Sequence, residues 1–88
     1  MLRISKLDMT DATTLRLEGS LAGAWVEELK QLCGTALAQG ETITLDCGGV
    51  SFSDLDGVAL MRELRRQGAR LANCSPFLKL QLEEALAV

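Results

Sequence analysis

Two carboxylates one residue apart, Asp54 and Asp56, lie in Phe52-Ser53-Asp54-Leu55-Asp56-Gly57-Val58, at the end of the short segment Val50-Ser51-Phe52. Acids at this spacing can hold Mg²⁺, and one of them can attack phosphorus as a nucleophile. The same pair also suits a plainer task, with Asp54 as a helix N-cap and Asp56 in the first turn, where exposed backbone N–H groups favour anions. Arg62, Arg65, Arg66 and Arg70 form a local basic cluster, which reads as a solvated face before it reads as a docking patch for an acidic partner. Cys33, Cys47 and Cys74 are odd in number, lack C-x-x-C spacing and have small or apolar neighbours, so they suggest neither a disulfide framework nor a zinc site. They are expected as reduced, semi-buried residues, and Trp25 as a core residue. The chain has no His and no Tyr, which removes serine triads, Cys–His dyads, imidazole metal sites and tyrosine phosphorylation.

The elements that position these groups belong to a small domain. A chain of 88 residues, 48% hydrophobic and 24% charged, is expected to form one globular domain over residues 1–88, without room for the lobes of a large enzyme. Net charge −3 gives repulsion from DNA and from anionic membranes, so nucleic acid is not an expected partner. Charge interrupts Met1-Leu2-Arg3-Ile4-Ser5-Lys6 before an apolar region forms, and no run approaches the ~20 apolar residues of a membrane span. A cytoplasmic protein without direct membrane insertion is expected.

Leu2 and Ile4 alternate with Arg3 and Ser5, and Leu15 and Leu17 with Thr14, Arg16 and Glu18, which predicts two short strands joined by a turn at Asp8-Met9-Thr10-Asp11. Trp25, Leu29, Leu32, Cys33, Ala36 and Leu37 recur at helical spacing, predicting a helix over residues 23–39 closed by Gly40. Ile43, Leu45 and Cys47 mark a third strand that Gly48-Gly49 should break. Leu60, Met61 and Leu64 predict a second helix from Asp54 to a cap at Gly68. Residues 69–74 make a plausible last strand, and Ser75-Pro76 is an N-cap and first-position pair. Leu78, Leu82, Ala85 and Leu86 fit the helix that follows, although Leu78, Leu80 and Leu82 also alternate as a strand would. The order ββαβαβα, with right-handed crossovers, gives an α/β fold: a small mixed four-stranded sheet covered by helices, its opening pair antiparallel and the rest parallel.

The strand ending in Asp46, the Val50-Ser51-Phe52 segment, and Asp54-Leu55-Asp56-Gly57 opening a helix with Leu60 together resemble the STAS domain of anti-sigma-factor antagonists and sulfate transporter tails. The resemblance covers nearly the whole chain and implies a non-catalytic protein–protein interaction module with no cofactor and no metal. In phosphoregulated members the residue after the Asp is a hydroxyl that accepts phosphate; here it is Leu55, which cannot. Asp56 would instead place a permanent negative charge near the family's phosphate position, while Ser51 and Ser53 are the nearest substitute acceptors. The implied contact surface is the stretch Ser53, Asp54, Leu55, Asp56 and Gly57 with the helix bearing Arg62. The implied partner is an anti-sigma factor or related serine kinase, or alternatively the ATPase subunit of an ABC-type lipid transport system that carries a small STAS subunit. A homodimer is a further possibility.

The Asp54–Asp56 stretch also resembles the first motif of magnesium-dependent, haloacid-dehalogenase-type phosphatases. Those enzymes place this motif near the N-terminus of a much longer chain and need a later Lys and a later acidic pair. Here only residues 59–88 follow, with Lys79 and Glu83-Glu84 in the terminal helix, so the enzyme reading is the remote one.

Overall fold

The computed structural model describes residues 1–9 and 12–84. Along the chain these form β1 (Leu2–Met9), β2 (Ala12–Leu21), α1 (Ala24–Ala38), β3 (Thr42–Ser53), α2 (Leu55–Arg66), β4 (Arg70–Ala72) and α3 (Pro76–Glu84). The order is the expected ββαβαβα. One mixed sheet runs β1-β2-β3-β4, with β1 antiparallel to β2 and the other pairs parallel. Thr10 and Asp11 of the expected turn lie outside the described residues, as do Ala85 and Leu86 of the last helix.

Period-two alternation decides which face of the sheet is covered. Leu15, Leu17, Ile43, Leu45 and Cys47 are buried in one cluster with Leu29, Cys33 and Ala36 of α1, Met61 and Leu64 of α2, and Leu78 and Leu82 of α3. Arg16 and Glu18 of β2 point to the opposite, open face. Strands that advance in one direction through right-handed crossovers place their helices on the same side, so the three helices cover a single face. Trp25 is half-buried against this core. Leu32, expected inside, is 40% exposed, because it lies on the flank of the stripe formed by Leu29, Cys33 and Ala36.

The first three strands are longer than expected, and the main correction concerns β3, which Gly48 and Gly49 do not break. They lie inside a 12-residue strand that carries one extra residue opposite the stretch from Arg16 to Glu18 and another between Gly19 and Ser20. A Cβ on Gly49 would come within 2.9 Å of the Leu17 carbonyl oxygen, so these glycines mark a bulge where two backbones approach closely. β4 is shorter than expected, at three residues. Both long helices close as Gly40 and Gly68 imply. The Glu41 N–H donates to the Ala36 carbonyl at 3.1 Å and the Ala69 N–H to that of Leu64 at 2.9 Å, the six-to-one bond of a Schellman cap. Ser75 caps α3 as expected, its Oγ accepting from the Leu78 N–H at 3.1 Å.

Candidate functional site

The bulged second half of β3 delivers the chain to Asp54 at the junction with α2. Asp54 is held by its own N–H, which donates to the Leu21 carbonyl at the end of β2 at 3.1 Å. Its Oδ1 accepts from the Gly57 N–H at 2.7 Å, closing the first turn of α2, and its Oδ2 accepts from the Gly23 N–H at 3.0 Å, at the start of α1. These bonds, led by the one from Gly23, hold the carboxyl below its ordinary pKa. One side chain therefore caps its own helix and ties a second helix start to it across 31 residues of sequence.

Gly57 is fixed by the same junction. A Cβ there would overlap the Ser53 hydroxyl and approach the Leu21 carbonyl oxygen to 2.7 Å. Ser53 is 2% exposed and donates its hydroxyl to the Asp54 carbonyl at 3.2 Å. Of the expected contact stretch, Ser53 and Gly57 are thus packed inside and serve the architecture. Ser53 also offers no surface hydroxyl to a kinase, whereas Ser51 is exposed.

What the junction presents to solvent is apolar. Leu55, the first residue of α2, is 85% exposed, and Phe52 at the end of β3 is 51% exposed. Asp56 follows, exposed in the first turn. Between α1 and α2 runs a hollow of about 390 Å³ bordered by Gly23, Val26, Glu27, Asp56, Ala59 and Glu63. A second, of about 450 Å³, continues along α2 past Ala59, Arg62, Arg65 and Arg66. The basic cluster is uneven. Arg66 is paired with Glu63 through contacts of 2.7 and 2.9 Å, and this pairing, with the Gln67 amide, pulls the Glu63 carboxyl down to about 2. Arg65 and Arg70 are exposed, but Arg62 is half-buried, and its Nε is shielded from solvent with no hydrogen-bond acceptor among the described residues.

Asp46, the other acidic residue of the motif, lies on the open face of the sheet. It accepts from the Gly48 N–H and the Asn73 amide, each at 3.1 Å, and lies 3.6 Å from Arg16. It braces the bulge and the turn after β4. The sequence left Phe52 and Gly23 unmarked as parts of the site. Phe52 has an apolar strand pattern that reads as core until the bulges shift its register, and the pairing of Gly23 with Asp54 has no local signal.

The family model described as Mlab, STAS domain, matches residues 5–79. Among solved structures, the anti-sigma factor antagonist SpoIIAA in its unphosphorylated form matches at 30% identity and TM-score 0.71, over 94% of this chain and 82% of that one. The Bacillus cell fate determinant SpoIIAA in the phosphorylated form matches at 25% identity and TM-score 0.75, over 97% and 83%. An antisigma-factor antagonist STAS domain from Rhodobacter sphaeroides shares the fold at 22% identity and TM-score 0.59, over 82% and 86%. No curated protein sequence gives a significant match.

Proposed function

Because the chain belongs to the STAS domain family, we propose that it is a non-catalytic, cytoplasmic protein-binding module of the anti-sigma-factor-antagonist kind whose contact surface is not switched by phosphate at the family position. The observation that carries this reading is Leu55, an 85% exposed apolar side chain on the first residue of α2, directly after the Asp54 cap. The relative SpoIIAA exists in unphosphorylated and phosphorylated forms. In this chain the residue beside the Asp offers a partner hydrophobic area instead of a hydroxyl, and Asp56 supplies a fixed charge one residue on. A partner acceptor reaching the shielded Arg62 Nε would relieve a buried donor whose lack of a partner costs about 1–3 kcal/mol.

The partner on this reading is an anti-sigma factor or related serine kinase. A second reading, favoured by the same missing hydroxyl, makes the domain the small STAS subunit of an ABC-type lipid transport system, with the ATPase as partner. The phosphatase reading has less support, because both Asp54 oxygens are occupied by backbone N–H groups and a nucleophile or Mg²⁺ ligand there would have to give up the cap of two helices.

Leu55→Asp separates contact from architecture, since the side chain is exposed and touches no part of the core. Affinity for the cognate partner should fall at least about tenfold, equivalent to 1.4 kcal/mol, while the urea midpoint stays unchanged. Unchanged affinity would remove this surface from the interface. Sedimentation of the free domain shows whether a second copy of the chain occupies the same surface.

A further inference from the structure

Away from the α2 junction, two of the three cysteines become neighbours through an irregularity just after β4. Leu45 pairs with Leu71 and Asp46 with Ala72 in parallel register, so Leu71 faces the core and Ala72 the open face. Regular alternation would turn Asn73 inward beside Cys47. Asn73 instead has φ 58°, in the left-handed region, and its amide reaches to Asp46 on the open side. The reversal makes Cys74 the inward residue. Cys74 packs against the core cluster that contains Cys47, and a Cβ on Gly48 would lie 3.4 Å from that of Asn73, so the chain segments bearing the two cysteines run side by side; the Cys47 thiol itself donates to the Leu45 carbonyl. Cys33, on α1, is fully buried elsewhere in the core, and burial holds its thiol up at about 11.

The two thiols differ in access. Cys47 is 1% exposed; burial first, and then the neighbouring Cys74, hold it protonated, well above the ordinary thiol pKa. Cys74 is half-buried and lines an open hollow of about 660 Å³ with Arg65, Arg70 and Lys79 on its rim. Cationic groups around a reachable thiol favour the approach of an anionic reagent.

We propose that Cys74 and Cys47 form a reversible dithiol–disulfide site whose oxidant is an anionic low-molecular-weight disulfide entering through the Arg65–Arg70–Lys79 hollow. In the first step the Cys74 sulfur, having given up its proton, attacks one sulfur of the reagent. A Cys74–reagent disulfide forms, the reagent's own S–S bond breaks, and the departing thiolate takes up the proton. In the second step Cys47 loses its proton and attacks the Cys74 sulfur, forming the Cys47–Cys74 bond and releasing the second reagent thiol. The protein dithiol is oxidised by two electrons and the reagent disulfide is reduced to two thiols. Closing the bond brings the two sulfurs to about 2.05 Å, which requires the Cys47 thiol to turn from the Leu45 carbonyl toward Cys74. Cys74 immediately precedes the Ser75 cap of α3, so the bond would fasten the start of that helix to β3 and stay open in a reducing compartment.

Oxidised glutathione is the probe. The intact wild-type protein should lose two hydrogen atoms in mass, a digest should yield a peptide joining Cys47 to Cys74, Cys33 should remain alkylatable after unfolding, and the thermal midpoint should rise. Cys47→Ser should instead accumulate a glutathione adduct on Cys74, and Cys74→Ser should show neither product, a result that stands on its own if the buried Cys47→Ser variant does not fold. A persistent adduct on wild-type Cys74, a link involving Cys33, or a dimer joined through Cys74 would each overturn the proposal.

Discussion

Helices α1 and α2 begin with opposite equipment. The N-cap of α1 is Gly23, with φ 61° and ψ −133° and no side-chain cap of its own, whereas α2 begins at Asp54, whose two oxygens serve both helices. The borrowed cap makes the geometry of the two helix starts a single property of the fold. It also explains why the surface beside them can be apolar. With the polar requirements of the junction met inside by Asp54, Ser53 and Gly57, neither Phe52 nor Leu55 is needed for its hydrogen bonds, and both are left exposed.

The most severe way to break this arrangement is Gly57→Val. It forces a side chain into the Ser53 hydroxyl and the Leu21 backbone carbonyl and should cost at least about 3 kcal/mol in a urea melt, the upper part of the overpacking range. At the other start, Gly23→Ala meets open space and strains only the backbone, so about 1–3 kcal/mol is expected. Equal costs would mean that steric fit at Gly57 is not what locks the junction.

Asp54→Ala comes next. It should lower the melting temperature more than Ser75→Ala, which removes the cap of α3 alone and should cost about 0.5–2 kcal/mol. The direction with pH is set by the lowered Asp54 pKa. A depressed folded-state pKa gives stability that is present above the unfolded value and is lost as pH falls through the folded one. Asp54→Asn should therefore trail wild type near neutral pH, and the gap should begin to close below about pH 4. A gap independent of pH would show that the charge of Asp54 contributes nothing beyond hydrogen-bond geometry.

Asp56→Asn is the mildest change, sharpening the contrast between the charge that organises the junction and the charge beside it. As a helix-dipole partner alone, Asp56 is worth about 0.3–1 kcal/mol of stability. As a charge read by a partner, its loss should cost affinity about 1.5–3 kcal/mol, and calorimetry set beside a urea melt tells the two apart.

The sequence made the element order, the parallel and antiparallel pairings and the caps legible, because each rests on a short-range signal: alternation at Ile43, Leu45 and Cys47, helical spacing at Leu60, Met61 and Leu64, glycine at positions 40 and 68, and Ser75-Pro76. The N-cap role of Asp54 was legible for the same reason, and its second bond, to Gly23, was not, because nothing local distinguishes one distant backbone N–H from another. Gly48-Gly49 misled because a pair of glycines signals a strand break as readily as a bulge against a close neighbouring backbone. That error hid the exposure of Phe52, since the extra residues of β3 alter which side chains face inward. Cys47 and Cys74 gave no sign of being neighbours, because the reversal at Asn73 requires a left-handed conformation that its type permits without demanding.

The central claim, that Leu55 makes this surface a standing contact in place of a phosphate switch, is tested most directly by calorimetric titration of the wild-type domain with its cognate ATP-binding partner. The titration is done before and after the two have been incubated with ATP and the domain repurified free of nucleotide. The account predicts the same dissociation constant in both titrations. A loss of affinity of about tenfold or more after the ATP treatment, equivalent to 1.4 kcal/mol, would contradict it.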